Sequence, residues 1–201
     1  MSRRNLLLAT VLAASLLLGF TSAASALSGI VFLNPGVNYT ASAVGVQIEN
    51  AATNAPVVTA DMTLTFSFNP SLMRCGQLTA LGNVTAVTFA NVVPNNLPVT
   101  AVNLPWSLTS PNCELLFILS KYALPVAVLG VSVNLGLLGV YTGFVNVGLV
   151  KDATAGNLSV SCHLGVLDSL LQPANGFGPT LRILLPQLFD VTPCVPFELL
   201  L

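Results

Sequence analysis

Strict alternation of apolar and polar side chains is the feature that most constrains what this chain can fold into. The segment APVVTADMTLTFSF, residues 55–68, places Thr, Ser and Asp61 on one parity. The other parity carries Val58, Ala60, Met62, Leu64, Phe66 and Phe68. A period of two residues predicts a β-strand with two different faces. The apolar face must therefore be covered by a protein core, a lipid layer or an apolar ligand.

Several other segments share this character. GNLSVSCHLGV, residues 156–166, alternates as cleanly and places Cys162 on its apolar face. Asn83–Val92 is rich in Val, Thr and Phe, which favour strands. Shorter strands are predicted within 29–36, 43–50 and 180–189, the last interrupted by proline. Many short strands joined by Pro and Gly turns indicate a mainly β fold, an antiparallel β-sandwich or a closed β-barrel.

The stretch between Lys121 and Lys151 has no charged residue and is long enough to cross a bilayer as a helix. Pro125, five glycines and a two-residue alternation favour two strands instead, joined near Leu138–Gly139. The transmembrane helix remains the alternative. A short helix is a further expectation at Val166–Leu171.

The first 26 residues have the three parts of a secretory signal. Two arginines precede an apolar run, Leu6–Phe20, and Ala24-Ser25-Ala26 forms a small-residue cleavage site. We therefore expect residues 1–26 to be a signal peptide and 27–201 a single β-rich domain. The predicted location is secreted or cell envelope.

The cysteine count agrees with export, because the four cysteines all follow the predicted signal peptide and an even number suggests two disulfides. They are Cys75, Cys113, Cys162 and Cys194. Three pairings are open, and the sequence does not choose among them. No metal site is expected, because no two cysteines have the spacing of a zinc motif.

Charge excludes one class of function. Charged residues are 6% of the chain, and after the signal four basic residues stand against seven acidic ones. The basic residues are scattered, so no nucleic-acid partner is expected. Low charge with a high aliphatic content is typical of a protein at an apolar interface.

The sequence offers no catalytic constellation and no cofactor-binding motif. His163 is the only histidine, and although Asp168 and Ser169 lie near it, no nucleophile-elbow motif exists. We expect a surface histidine there. Asp61 and Glu49 occupy polar strand positions, where exposure to solvent is the default. No catalytic residue, cofactor or metal is therefore predicted, and the chain is not expected to be an enzyme.

Trp106, the only tryptophan, follows Pro105 in NLPWSLTS, Asn103–Ser110. A core anchor is favoured, and contact with an apolar ligand is the alternative. This segment, together with FLNPG at Phe32–Gly36, resembles the PraB-like family of small exported bacterial proteins linked to alkane utilisation. The similarity covers residues 30–113, whereas the cysteine spacing and residues 114–150 depart from the family's pattern. The resemblance implies an extracellular, non-enzymatic protein at hydrocarbon or cell-surface interfaces, with no catalytic residue to carry over.

These observations predict an exported, non-enzymatic cell-envelope or secreted protein that contacts apolar or lipid-like surfaces, or that self-associates. Contact with a membrane surface is compatible with this reading. A membrane-inserted β-barrel or pore is the alternative, and a secreted hydrolase is a third hypothesis.

Overall fold

The structure is a computed structural model. It describes residues 30–33, 35–69, 72–74, 79–95, 97–110, 116–118, 121–152, 161–194 and 197–200. The predicted signal peptide lies outside the described residues, so it stays a prediction.

The described chain consists almost entirely of β-strands, with a single turn of 3-10 helix at Gly136–Leu138. The strands are β1 Ile30–Leu33, β2 Asn38–Asn50, β3 Pro56–Phe68, β4 Leu72–Arg74, β5 Thr79–Val93, β6 Thr100–Ala101, β7 Trp106–Ser110, β8 Leu116–Ile118, β9 Lys121–Asn134, β10 Val140–Asp152, β11 Ser161–Pro173, β12 Leu181–Ile183, β13 Leu188–Thr192 and β14 Phe197–Leu200.

The large sheet closes on itself as an eight-stranded antiparallel barrel. Neighbours follow chain order, from β2 through β3, β5, β7, β9 and β10 to β11. β12 and β13 then follow one another along β11 and pair with β2, which completes the ring. The fold prediction is therefore confirmed for the barrel, and the β-sandwich is wrong because no open edge separates two sheets. β8 pairs with the start of β9, and β14, β1 and β4 form a separate three-stranded sheet.

Two positions in the ring are each shared by two short strands. β6 and β7 both pair with β9, and β12 and β13 both pair with β11. The second interruption falls at Leu184–Gln187, as Pro186 predicts, because proline lacks the N–H that a ladder hydrogen bond needs.

The pairing register places the turns at two ends. The turns 51–55, 94–95, 135–139 and 174–180 form one end, here called the Leu137 end. β2 begins at the opposite end, here called the Tyr39 end.

The charge-free stretch forms β9 and β10, which pair along their whole length and meet at Leu135–Gly139. The two-strand prediction is confirmed. In the part of the chain that is described, no helix has the length and hydropathy needed to cross a membrane. The short helix expected at Val166–Leu171 is wrong, because these residues continue β11 in register with β10.

The alternating faces of the sequence become the two faces of the barrel wall. In β3 the predicted apolar face points inward, with Val58, Phe66 and Phe68 at most 3% exposed. The Thr and Ser residues of the same strand lie on the outer wall. Burial of one face against the barrel interior fixes the register, because a one-residue slip would turn every apolar side chain outward.

One disulfide is present among the described residues. It joins Cys162 at the start of β11 to Cys194 just after β13, with 5.1 Å between their Cα atoms. Cys162 is buried on the apolar face, as predicted. Cys75 and Cys113 lie outside the described residues, so their pairing stays a prediction. A disulfide is compatible with a secreted or cell-envelope location.

Asp61 on the outer wall ties two irregular strands to β3. Its carboxylate accepts hydrogen bonds from the backbone N–H of Gly45 at 2.8 Å and from Asn91 Nδ2 at 2.6 Å. Gly45 and Asn91 both have positive φ and both lie where the register of their strand against β3 shifts. The hydrogen bond from Asn91, then the one from Gly45, hold the pKa of Asp61 below its usual value.

This lowered pKa predicts a pH-dependent stability. A carboxylate whose folded-state pKa is depressed stabilises the fold above the unfolded-state pKa of about 3.9 and loses that contribution as the pH falls. Asp61→Asn should therefore unfold at a lower temperature than the wild type at pH 7. The two midpoints should converge as the pH is lowered below about 4. Thermal unfolding followed by circular dichroism measures the difference, and a gap that does not change with pH would contradict this role of Asp61.

Candidate functional site

The barrel interior contains an apolar cavity. Its volume, counted as the space that the centre of a water molecule can occupy, is about 80 Å³. One buried water needs roughly 10–15 Å³ by the same measure, so several water molecules, or part of a hydrocarbon chain, have room. Every described residue that lines the cavity is aliphatic or aromatic, and valine is the commonest. Apolar cavities of this kind stay dry and take up apolar molecules.

The residues that line the cavity extend along the barrel. β3 contributes alternate residues from Val58 to Phe68 to the lining. Ten residues of strand span about 33 Å, which corresponds to about 25 Å along the barrel axis at a typical tilt of about 40°. β9 contributes Val126 to Val133 from the facing wall. The lining therefore favours a long, narrow ligand over a compact one.

Fully buried side chains close both ends of the cavity. At the Leu137 end, Leu135, Tyr141 and Leu181 are at most 2% exposed. The turn 174–180 lies over Tyr141, since a Cβ placed on Gly178 would be 3.1 Å from the Tyr141 hydroxyl oxygen.

At the Tyr39 end, Tyr39 stacks on Phe66 with ring centroids 5.3 Å apart. Phe68 packs against both rings at 5.4 and 5.6 Å. Leu81, next to Gly82 that pairs with Phe68, and Leu124, near the start of β9, are also fully buried at this end. A ligand that enters the cavity through either end of the barrel must therefore displace some of these side chains.

Trp106 is both a core residue and part of the cavity wall. Its side chain is 2% exposed and lines the cavity. The indole N–H donates to the carbonyl oxygen of Val102 at 3.1 Å, so its one polar atom is satisfied within the wall. This position of Trp106 is compatible with both predicted roles, a core anchor and a contact with an apolar ligand.

Comparisons of the chain with protein-family models, with curated proteins and with solved structures gave no match. The resemblance to the PraB-like family receives no support from them and stays a prediction.

The residues considered for catalysis are not assembled into a site. His163 Nδ1 lies 3.0 Å from Asp190 Oδ1 on the outer wall. Asp168 accepts the backbone N–H of Ser169 at 2.8 Å, and the Ser169 hydroxyl accepts the N–H of Ile183 at 2.7 Å. Ser169 is buried and joins β11 to β12, so its role in the structure is in strand pairing.

Glu49 differs from its prediction. It is 2% exposed instead of solvated, and Arg182 Nε donates to its Oε1 at 2.7 Å. The same guanidinium donates to Asn54 Oδ1 at 2.8 Å. β12 pairs with β2 in the register that brings Arg182 opposite Glu49, which compensates the buried carboxylate. Sequence reasoning missed this pair because its members are 133 residues apart.

Proposed function

We propose that this protein is a non-enzymatic binder of small apolar molecules, which it holds inside the barrel. The observation that carries the proposal is the cavity whose described lining contains no polar or charged side chain. Eight-stranded barrels are just wide enough to hold one small ligand. The ligand class that fits best is an unbranched hydrocarbon chain, because the lining is long and offers a polar group no hydrogen-bond partner.

This proposal makes the earlier expectation of an apolar contact more specific. The exported, non-enzymatic protein would meet its apolar partner inside the barrel. The resemblance to proteins of alkane utilisation points to the same class of ligand.

The distribution of side chains weighs against the alternative of a conducting pore. Membrane barrels place apolar residues outward and a polar lining inward. Here the inward-facing lining is apolar, and the outer wall carries Thr40, Thr63 and Thr65 together with exposed apolar residues such as Val44 and Leu167. Planar bilayer recordings separate the two functions, because a binder with a closed apolar interior gives no conductance.

Quenching of Trp106 fluorescence tests the proposal, because Trp106 is the only tryptophan and lines the cavity. Titration with 1-bromodecane should quench the emission to a saturating level, since bromine quenches indole on contact. Excess n-decane should restore it by competition. Iodide in the aqueous phase should leave the emission unchanged, since Trp106 is 2% exposed. Emission that 1-bromodecane does not change would overturn the proposal.

A further inference from the structure

The Leu137 end carries large apolar side chains on the tips of adjacent turns. Leu137 is 101% exposed and Phe177 83% exposed, while Leu138 is 45% exposed. Their turns are neighbours, because the N–H of Ala174 donates to the carbonyl oxygen of Val140 at 2.8 Å. Side chains as exposed as those of Leu137 and Phe177 make almost no contact within the protein, so they contribute little to folding.

Charge is segregated along the barrel axis. The described turns of the Leu137 end contain no charged residue. The charged pair nearest to that end is Glu49 and Arg182, whose side chains neutralise each other. Of the other charged residues on the described barrel strands, Asp61 and Asp168 lie midway along their strands, and Lys121, Lys151, Asp152 and Asp190 lie toward the Tyr39 end.

We propose that the Leu137 end docks on an uncharged lipid layer, with Leu137, Leu138 and Phe177 inserted among the lipids. A barrel that is apolar and uncharged at one end and charged at the other matches the gradient from hydrocarbon to water. Separate protruding tips suit a fluid lipid layer, which closes around each of them, whereas a protein partner needs about 800 Å² of matched surface. The absence of charge in these turns indicates attraction by apolar burial, with no preference for anionic lipid.

This docking adds a partner to the proposed ligand binding and rests on different residues. The turn that carries Phe177 also lies over Tyr141, which closes the cavity at this end. Docking would therefore bring a hydrocarbon source directly to that closure. The two proposals remain separable, because the tips do not line the cavity.

Site-specific tryptophans test the orientation on the membrane. In a Trp106→Phe background, Phe177→Trp places the single indole on the tip, and the control Val44→Trp places it on the outer wall, where Val44 is 84% exposed. With vesicles of brominated phosphatidylcholine, the Phe177→Trp emission should shift to the blue and be strongly quenched. The Val44→Trp emission should stay as in buffer. Equal quenching at both positions, or none at position 177, would overturn the docking proposal.

A second variant removes the tips. Leu137→Asn/Leu138→Asn should lower the partition coefficient onto phosphatidylcholine vesicles by more than about tenfold, as loss of apolar burial predicts. Its 1-bromodecane quenching in lipid-free buffer should equal that of the wild type. Partitioning should be the same between about 0.05 and 0.5 M NaCl, because no charge is involved.

Each outcome separates the two proposals. Unchanged partitioning of the tip variant, or a requirement for anionic lipid, would overturn docking and leave ligand binding intact. Association of the wild type into dimers that the tip variant does not form, without vesicle binding, would assign the tips to a second copy of the chain and overturn docking. Intact docking with no quenching of Trp106 by 1-bromodecane would overturn ligand binding alone.

Discussion

Replacing Ala60 by phenylalanine is expected to abolish binding of 1-bromodecane without unfolding the barrel. Ala60 is a small, buried residue in the middle of β3, and it lines the cavity. A phenyl ring at this position would occupy the space of the ligand. Loss of room for about four methylene groups, at about 0.8 kcal/mol each, corresponds to a decrease in affinity of roughly 100-fold or more.

The matched control is Ala41→Phe. Ala41 is also fully buried, on neighbouring β2, but it does not line the cavity. Added volume there has no space to fill and should cost about 1–3 kcal/mol of unfolding free energy. Ala60→Phe should instead keep or raise the stability of the ligand-free protein, as filling an apolar void does. Urea unfolding measures the unfolding free energy of both variants. If Ala60→Phe destabilised the barrel as much as Ala41→Phe and still bound the probe, the cavity would not be the binding site.

The second large effect is expected for Gly143→Ala in β10. A Cβ at Gly143 would clash with the carbonyl oxygen of Leu170 and lie 2.9 Å from its carbonyl carbon. Both are backbone atoms of the paired strand β11, so relief requires the two strands to separate. We expect a loss of about 3 kcal/mol or more of unfolding free energy, at the upper end of overpacking costs.

Gly148→Ala on the same strand is its control. A Cβ at Gly148 would meet only the Leu167 side chain, at 3.8 Å, which is an ordinary contact. That variant should unfold within about 1 kcal/mol of the wild type, with a gain expected from the reduced entropy of the unfolded chain. Urea unfolding followed by circular dichroism compares the two. Similar losses in both variants would show that the tight approach of β10 to β11 at Gly143 is not what limits stability.

Strand identity could be read from the sequence because it depends on local alternation. β3 and the pair β9 and β10 lie where the period of two predicts them, and Pro186 marks the break between β12 and β13. The closure of the sheet into a barrel could not be predicted from the sequence, because inward and outward residues alternate identically in a sandwich and in a barrel. The decisive contact joins Asp190–Thr192 to Thr40–Ser42, at opposite ends of the described chain.

The candidate site was only partly predictable. Apolar parity predicts which side chains point inward, and Trp106, for which the sequence favours a core anchor, lies buried in the wall. The cavity itself could not be predicted in this way, because its existence depends on whether the inward side chains of all the barrel strands together fill the interior. Burial of Glu49 depends likewise on Arg182, which only the closed ring brings opposite to it.

A crystal structure of the protein grown with 1-bromodecane tests the central claim most directly, because bromine can be located by its anomalous scattering. We predict an anomalous peak inside the barrel, within about 4 Å of side chains that line the cavity, such as Met62 and Trp106. Peaks confined to the outer wall, or an interior without bromine at saturating probe, would contradict the assignment of this cavity as the ligand site.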